Sequence, residues 1–289
     1  MAYMQTELQS KVLGKTTTLG LFFPNDYPPP HCHVQGVITL LHGIHNNFQG
    51  WLTYTGAARY AADNGYILLL PSCENSFYHD MQGGSAFYTY LTEELPCLLS
   101  QIFRLPAERE KNFIAGFSMG GYGALRLGLS QPDKYAACGS FSGPVKMQNV
   151  SLAAASPGHP AYPSLMEMFS PVFGPDLIVP PEANLFELAA QVAKLPAARQ
   201  PRLFVSCGDL DNDERGLLQQ NREFKAHLEA LPLPLCYREL PGAHEWGVAG
   251  RGLVEFIAFI QGSNYADIKK NDWAAPSQDY DNSRGVQKR

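Results

Sequence analysis

The chain has 289 residues, of which 45% are hydrophobic and 17% charged, and its formal net charge is −5. This composition is typical of a globular protein that can bury a large core without disulfides or metals. The lack of a Lys/Arg stripe argues against nucleic acid as a partner. The sequence contains no run of about 18 apolar residues, so no membrane helix is expected.

The cysteines and the N-terminus predict the cellular compartment. The six cysteines are scattered without C-x-x-C spacing, and the first residues lack the basic and apolar regions of a secretory signal. We therefore expect a cytoplasmic protein whose cysteines are reduced.

The first half of the chain alternates strand patterns with helix patterns. Four strands are predicted, at residues 7–13, 16–23, 37–41 and 66–70. The first two are expected to pair antiparallel, whereas the other two are continuous apolar runs, which are typical of strands buried on both faces. A loop is predicted at 24–30. Helices are predicted at 54–64 and 86–103, and Pro96 is expected to kink the second.

The second half continues this alternation. It predicts four more strands, at residues 112–115, 136–141, 203–207 and 235–240, and four helices, at residues 119–130, 185–195, 214–231 and 248–261. The pattern predicts an α/β fold with a mostly parallel sheet and helices on both faces. Residues 143–181 lose periodicity, which indicates either a lid or substrate wall or an ordinary surface excursion. We expect a single domain over 1–262 and a flexible, polar tail over 263–289.

A G-x-S-x-G motif at Gly116, Ser118 and Gly120 stands between the predicted strand at 112–115 and the predicted helix at 119–130. Such a corner exposes the serine hydroxyl at a helix N-terminus, where backbone N–H groups favour a developing negative charge. The alternative is a serine that only caps the helix. A histidine and acids later in the chain favour a nucleophile, so we predict that Ser118 attacks an acyl carbon.

A serine nucleophile needs a base, and imidazole is the side chain that titrates near neutral pH. His244 directly follows the last predicted strand, at the sheet edge that also presents Ser118. His227 lies inside a predicted helix, and the pair His31 and His33 lies upstream and is too small a cluster to predict a metal site. We therefore predict His244 as the general base.

The base needs a carboxylate that fixes its orientation, and this acid is expected between the serine and the histidine in the chain. Asp209 and Asp211 follow the predicted strand at 203–207, and spacing alone does not separate them. Asp213 and Glu214 are expected in the first turn of the next helix, where the helix dipole favours acidic residues.

The oxyanion of the reaction needs two backbone N–H donors. One is predicted at Met119, and the other at Ile44, where Gly43 is expected to let the chain turn toward the serine. The residues predicted to line the site are His42, Gly43, His45 and Trp246. The alternative for His42 and His45 is that they only support the loop after the strand at 37–41.

The chain resembles the Esterase D/antigen 85 group of esterases, which includes S-formylglutathione hydrolases and feruloyl and acetylxylan esterases. Within this group it looks most like bacterial tributyrin esterases of the EstA type. The matching segments are Leu41-His42-Gly43, the segment AGFSMGGYG at 115–123, Ser140-Phe141-Ser142-Gly143, Cys207-Gly208-x-x-Asp211 and His244-Glu245-Trp246. The likeness spans roughly residues 1–262.

The resemblance implies an α/β-hydrolase fold and a serine carboxylesterase that hydrolyses short-chain acyl esters through an acyl-enzyme. It favours Asp211 as the acid, implies Ile44 and Met119 as the oxyanion donors, and implies neither cofactor nor metal. Phe117 stands where S-formylglutathione hydrolases usually have His. Alternatives are an S-formylglutathione hydrolase-like thioesterase, an acetyl or feruloyl sugar esterase, or an acyltransferase with the same triad. The expected partner is a small acyl ester, and homo-oligomerisation is left open.

Overall fold

The structure is a computed structural model that describes residues 2–25, 34–150, 162–212 and 216–262. Several predictions made from the sequence fall outside these ranges. They concern most of the loop at 24–30, the histidines His31 and His33, the acids Asp213 and Glu214, and the tail at 263–289.

The described residues form one sheet of eight strands in the order β1-β2-β4-β3-β5-β6-β7-β8. The strands are β1 (Ala2–Ser10), β2 (Lys15–Phe23), β3 (Gly36–Leu41), β4 (Tyr66–Pro71), β5 (Asn112–Phe117), β6 (Ala137–Phe141), β7 (Arg202–Gly208) and β8 (Leu235–Leu240). Strands β3 to β8 run parallel, whereas β1 and β2 join antiparallel at one edge. The predicted mostly parallel sheet is therefore confirmed.

Helices pack on both faces of the sheet. They are α1 (Gly50–Tyr54), α2 (Ala57–Asp63), α3 (Phe87–Thr89), α4 (Leu95–Ile102), α5 (Met119–Ser130), α6 (Tyr162–Phe173), α7 (Leu185–Val192), α8 (Leu217–Glu229) and α9 (Trp246–Gln261). Leu125 and Phe224 belong to one large buried cluster, and Trp51 and Phe256 belong to a second. Because both faces are covered, all six residues of β3 are buried and apolar or small. None of the helices in the described ranges combines the length and apolar character that a bilayer span needs.

Two predicted elements near the N-terminus have different bounds in the structure. Strand β1 ends at Ser10, before the predicted end, because residues 11–14 form the turn into β2 and Gly14 adopts a left-handed φ of 66°. The prediction of one helix over 54–64 was wrong. The chain forms α1 and α2 instead, and the Thr55 hydroxyl between them accepts a hydrogen bond from the Ala57 N–H at 3.1 Å.

The predicted helix at 86–103 is interrupted between α3 and α4 by a π-turn, Tyr90–Glu94. Pro96 lies in the first turn of α4 and has no N–H to donate to the Thr92 carbonyl one turn earlier. The ammonium group of Lys134 donates to that carbonyl instead. The irregularity expected at Pro96 therefore takes the form of a π-turn just before it.

The prediction of an irregular segment over 143–181 was wrong at 162–173, where α6 forms. Pro163 and Pro171 obscure the helical period in the sequence. Proline is nevertheless compatible with the first turn of a helix, whose N–H groups have no intrahelical partner, and Pro171 lies near the C-terminal end of α6. Residues 151–161 lie outside the described ranges, so a lid or substrate wall stays a prediction. Strand β1 begins at Ala2, five residues before its predicted start, and the other predicted ends differ from the observed ones by at most three residues.

Candidate active site

Ser118 occupies the corner between β5 and α5 in a strained backbone conformation, with φ of 56° and ψ of −121°. Two glycines make this corner possible. A Cβ atom on Gly116 would lie 2.3 Å from the Gly120 carbonyl oxygen, and one on Gly120 would lie 2.3 Å from the Leu41 carbonyl oxygen. Any larger residue would separate the strand from the helix, so the motif is a steric requirement of the corner.

His244 joins the serine to a carboxylate. Its Nε2 atom lies 2.9 Å from the Ser118 Oγ atom, and its Nδ1 atom lies 2.8 Å from the Asp211 Oδ2 atom. A carboxylate only accepts hydrogen bonds, so the Nδ1–H donates to Asp211 and Nε2 is left to accept the serine proton. The Phe117 ring stacks on the imidazole at 4.8 Å. This arrangement can take a proton from the serine hydroxyl.

The structure separates the two aspartates that spacing could not. Asp211 is 1% exposed and holds His244, and its own backbone carbonyl accepts from the Leu218 N–H at 2.9 Å. Asp209 is exposed and its carboxylate accepts from the Gly242 N–H at 2.9 Å. Asp209 therefore anchors the loop that carries the histidine, whereas Asp211 contacts the imidazole itself.

The segment that carries Ile44 lies against the serine corner. A Cβ atom on Gly43 would lie 3.5 Å from the Ser118 Cβ atom, an ordinary contact distance. The left-handed residue of this loop is His45, with φ of 58°, and the role of Gly43 in turning the Ile44 N–H toward the serine stays a prediction. Met119, the other predicted donor residue, is the first residue of α5, where N–H groups have no intrahelical partner.

His42 is buried, and both of its ring nitrogens are engaged. The Cys73 N–H donates to Nε2 at 2.9 Å, so the ring proton resides on Nδ1 and is donated to the Gly43 carbonyl at 2.8 Å. Burial lowers the pKa of His42 to about 4, which keeps the ring neutral. These contacts fit support of the loop, the alternative to lining the site.

Acidification is expected to remove stability that neutral His42 contributes. The pKa of His42 is about 4 in the folded protein and about 6.5 in an unfolded chain, so between these values the unfolded state binds more protons. The contribution is complete above about pH 6.5 and is lost as pH falls to about 4, on the order of 3 kcal/mol in total. Denaturant unfolding of wild type and His42→Gln measures it: the stability gap should narrow in acid, and parallel curves would contradict the expectation.

His45 and Trp246 are the other residues that were predicted to line the site. His45 is exposed, and its backbone N–H donates to the Asn75 side chain at 2.8 Å. Trp246 packs against Phe117 at 5.1 Å and stacks on Tyr54 at 5.4 Å, so it supports the ring that lies on the imidazole. No role was predicted for Phe117 from the sequence. Its contact with His244 joins distant segments of the chain, so no local signal in the sequence could have found it.

The chain matches the Esterase family model, described as "Putative esterase", over residues 10–254. It is 30% identical over 260 residues to an acetyl esterase of Caldicellulosiruptor saccharolyticus, which covers 85% of this chain and 93% of that protein. An S-formylglutathione hydrolase of Paracoccus denitrificans (strain Pd 1222) is 29% identical over 46% of this chain and 54% of that protein.

Solved structures show the same likeness. The fluorophosphonate-binding serine hydrolase FphF of Staphylococcus aureus superposes with a TM-score of 0.74 and 26% identity, covering 90% of this chain and 98% of that one. The S-formylglutathione hydrolase FrmB of the same organism superposes with a TM-score of 0.69 and 27% identity over the same shares.

Proposed function

Because this chain belongs to the Esterase family and is a carboxylic ester hydrolase, we propose that it hydrolyses short-chain acyl esters through an acyl-enzyme on Ser118. One observation supports this assignment above all: a continuous line of hydrogen bonds runs from Asp211 through His244 to the Ser118 hydroxyl. This line provides the nucleophile, the base and the orienting acid of a serine hydrolase.

In the first half of the proposed reaction, the Ser118 Oγ atom attacks the ester carbonyl and its proton passes to Nε2 of His244. Asp211 stabilises the resulting imidazolium through the Nδ1–H. The tetrahedral intermediate then collapses, and Nε2 returns the proton to the departing alcohol. In the second half a water molecule attacks the acyl-enzyme with His244 again as the base, which releases the carboxylic acid and restores the serine.

The negative charge of each tetrahedral intermediate needs donors that are already in place. We assign these to the backbone N–H groups of Ile44 and Met119. Met119 begins α5, so the partial positive charge of the helix N-terminus adds to its N–H. The packing of Gly43 on Ser118 supports the assignment of Ile44, because it brings the two loops into contact at the reacting group.

The acyl group we propose is acetate to butyrate. The support is the acetyl esterase of Caldicellulosiruptor saccharolyticus, whose likeness extends over most of both chains. The Paracoccus denitrificans S-formylglutathione hydrolase matches only 46% of this chain, and Phe117 replaces the histidine usual in that class of enzymes. A small oxygen ester therefore has more support than a glutathione thioester.

A series of p-nitrophenyl esters tests the acyl preference. We expect kcat/KM to be highest between acetate and butyrate and to fall about tenfold or more by octanoate, since each misplaced methylene costs transition-state binding. Formylglutathione and acetylated sugars, assayed in parallel, test the alternative leaving groups. A maximum at octanoate or longer chains, or a large preference for formylglutathione, would contradict the proposal. Added acceptor alcohols reveal any acyl transfer.

A further inference from the structure

We propose that Tyr78 is a positioning residue for the oxyanion hole, which couples the loop carrying Ile44 to the helix that begins at Met119. The inference rests on the proposed function, because that function assigns these two residues as the donors. Tyr78 is fully buried, and it acts through the residues that it holds.

The first set of contacts joins Tyr78 to the oxyanion loop. Its hydroxyl donates to the His42 carbonyl at 2.6 Å, two residues before Ile44. Burial raises the pKa of the Tyr78 phenol well above its ordinary value, so the hydroxyl stays protonated and remains a donor. The Cys73 N–H holds the imidazole of the same His42 at 2.9 Å. The segment at 73–78 thus fixes both the backbone and the side chain of His42.

The second set of contacts joins Tyr78 to α5. A Cβ atom on Gly123 would lie 2.2 Å from the Tyr78 Cδ2 atom, so the ring rests directly on the helix backbone and residue 123 must be glycine. The Arg126 Nη1 atom, one turn further along α5, donates to the Tyr78 carbonyl at 2.5 Å. The Arg126 guanidinium is itself held, stacked on the Tyr88 ring at 4.1 Å. Both the ring and the backbone of Tyr78 are therefore fixed to the helix.

The backbone of this segment is strained. Phe77 and Tyr78 are consecutive non-glycine residues with positive φ, 48° and 58°. This conformation costs free energy and persists only where the surroundings hold it. Filling a core position requires no such strain, and an apolar side chain would leave the His42 carbonyl without its phenol donor. The strained backbone and the hydrogen bond from the buried Tyr78 hydroxyl to the His42 carbonyl together indicate that Tyr78 holds the oxyanion loop in a defined position.

These contacts allow Tyr78 to set the distance between the two oxyanion donors, the N–H groups of Ile44 and Met119. Ile44 and Met119 lie on different segments, and their N–H groups must meet around one oxygen atom. Tyr78 contacts the backbone beside each of these segments, at His42 and at Gly123. Removing its hydroxyl takes away the hydrogen bond that ties the His42 carbonyl to the ring seated on α5, while the aromatic ring still fills the core. The expected damage is to transition-state binding, with substrate binding preserved.

The test compares Tyr78→Phe with Tyr122→Phe, a matched control. Tyr122 is also fully buried and lies on α5, and its hydroxyl is 2.9 Å from His79 Nε2 and 3.1 Å from the Ala183 carbonyl. Active sites are titrated with a fluorophosphonate, so that rates refer to folded enzyme. For Tyr78→Phe we expect kcat for p-nitrophenyl acetate to fall about tenfold at unchanged KM, and the inhibition constant of a trifluoromethyl ketone to rise about tenfold. Tyr122→Phe should change both quantities less than about twofold.

Two outcomes would overturn the role of Tyr78. One is a loss of activity that titration attributes wholly to fewer active sites, with kcat per site unchanged. The other is an inhibition constant that changes no more than in Tyr122→Phe. Failure of the proposed function is distinguishable, because it would show as turnover that persists in Ser118→Ala, whereas these outcomes leave the dependence on Ser118 intact.

Discussion

Replacing Ser118 with alanine is expected to lower kcat/KM for p-nitrophenyl acetate on the order of 10⁴-fold or more. The variant lacks the oxygen that forms the acyl-enzyme, and His244 is left without a hydroxyl to deprotonate. The assay is steady-state turnover, combined with fluorophosphonate labelling followed by mass spectrometry of the peptide that contains residue 118. The label should be absent from the variant.

Ser140→Ala provides the matched control for this experiment. Ser140 is fully buried on β6, next to β5, and its hydroxyl has no hydrogen-bond partner among the described residues. Replacing Ser140 with alanine removes a hydroxyl without breaking a hydrogen bond, so activity should stay within about twofold of wild type. Substantial turnover by Ser118→Ala, or labelling at another serine, would contradict Ser118 as the nucleophile.

Replacing Asp211 with asparagine is expected to lower kcat about 10³- to 10⁴-fold with little change in KM. The amide that replaces the carboxylate can donate to Nδ1 of His244, which favours the tautomer that carries its proton on Nε2. That tautomer cannot accept the proton of Ser118. The amide also cannot stabilise an imidazolium as a carboxylate does. Steady-state kinetics on p-nitrophenyl acetate measure both parameters.

Asp209→Asn is the control that separates the two acids. Asn at position 209 keeps an oxygen that can accept from the Gly242 N–H, and the side chain is exposed, so we expect less than about a tenfold loss. Circular dichroism and thermal unfolding establish that both variants are folded. Equal losses in Asp209→Asn and Asp211→Asn, or a larger loss at Asp209, would contradict the assignment of Asp211.

Some features of the fold and the active site could be predicted from the sequence because their causes are local in the chain. The corner at Ser118 needs glycines at fixed neighbouring positions, since a Cβ on Gly116 or Gly120 would collide with backbone. Strand β8 was predicted with its observed bounds because its six residues stand between turn-forming segments. The parallel sheet followed from the alternation of strands and helices, which leaves few other ways to bury continuous apolar runs.

Other features depended on contacts between distant segments. Helix α6 was not predicted because Pro163 and Pro171 interrupt the pattern by which a helix is recognised, although Pro163 stands in the first turn, where proline is compatible with a helix. Phe117 was noted only as a departure from related enzymes, because nothing in its local sequence indicates that His244 will stack on it. The same holds for Tyr78, whose partners are His42 and α5.

The sequence by itself determined the class of fold, the serine corner and the kind of chemistry, because glycine sterics and the periodicity of apolar residues act within a few positions. The family resemblance favoured Asp211 over Asp209, but only the tertiary structure shows Asp211 on the imidazole and Asp209 on the loop beside it. The two residues are identical in type and two positions apart, so helix and strand patterns or spacing from Ser118 do not distinguish them. Their directions are set by how the end of β7 packs on the loop after β8, a contact between segments more than thirty residues apart in the chain.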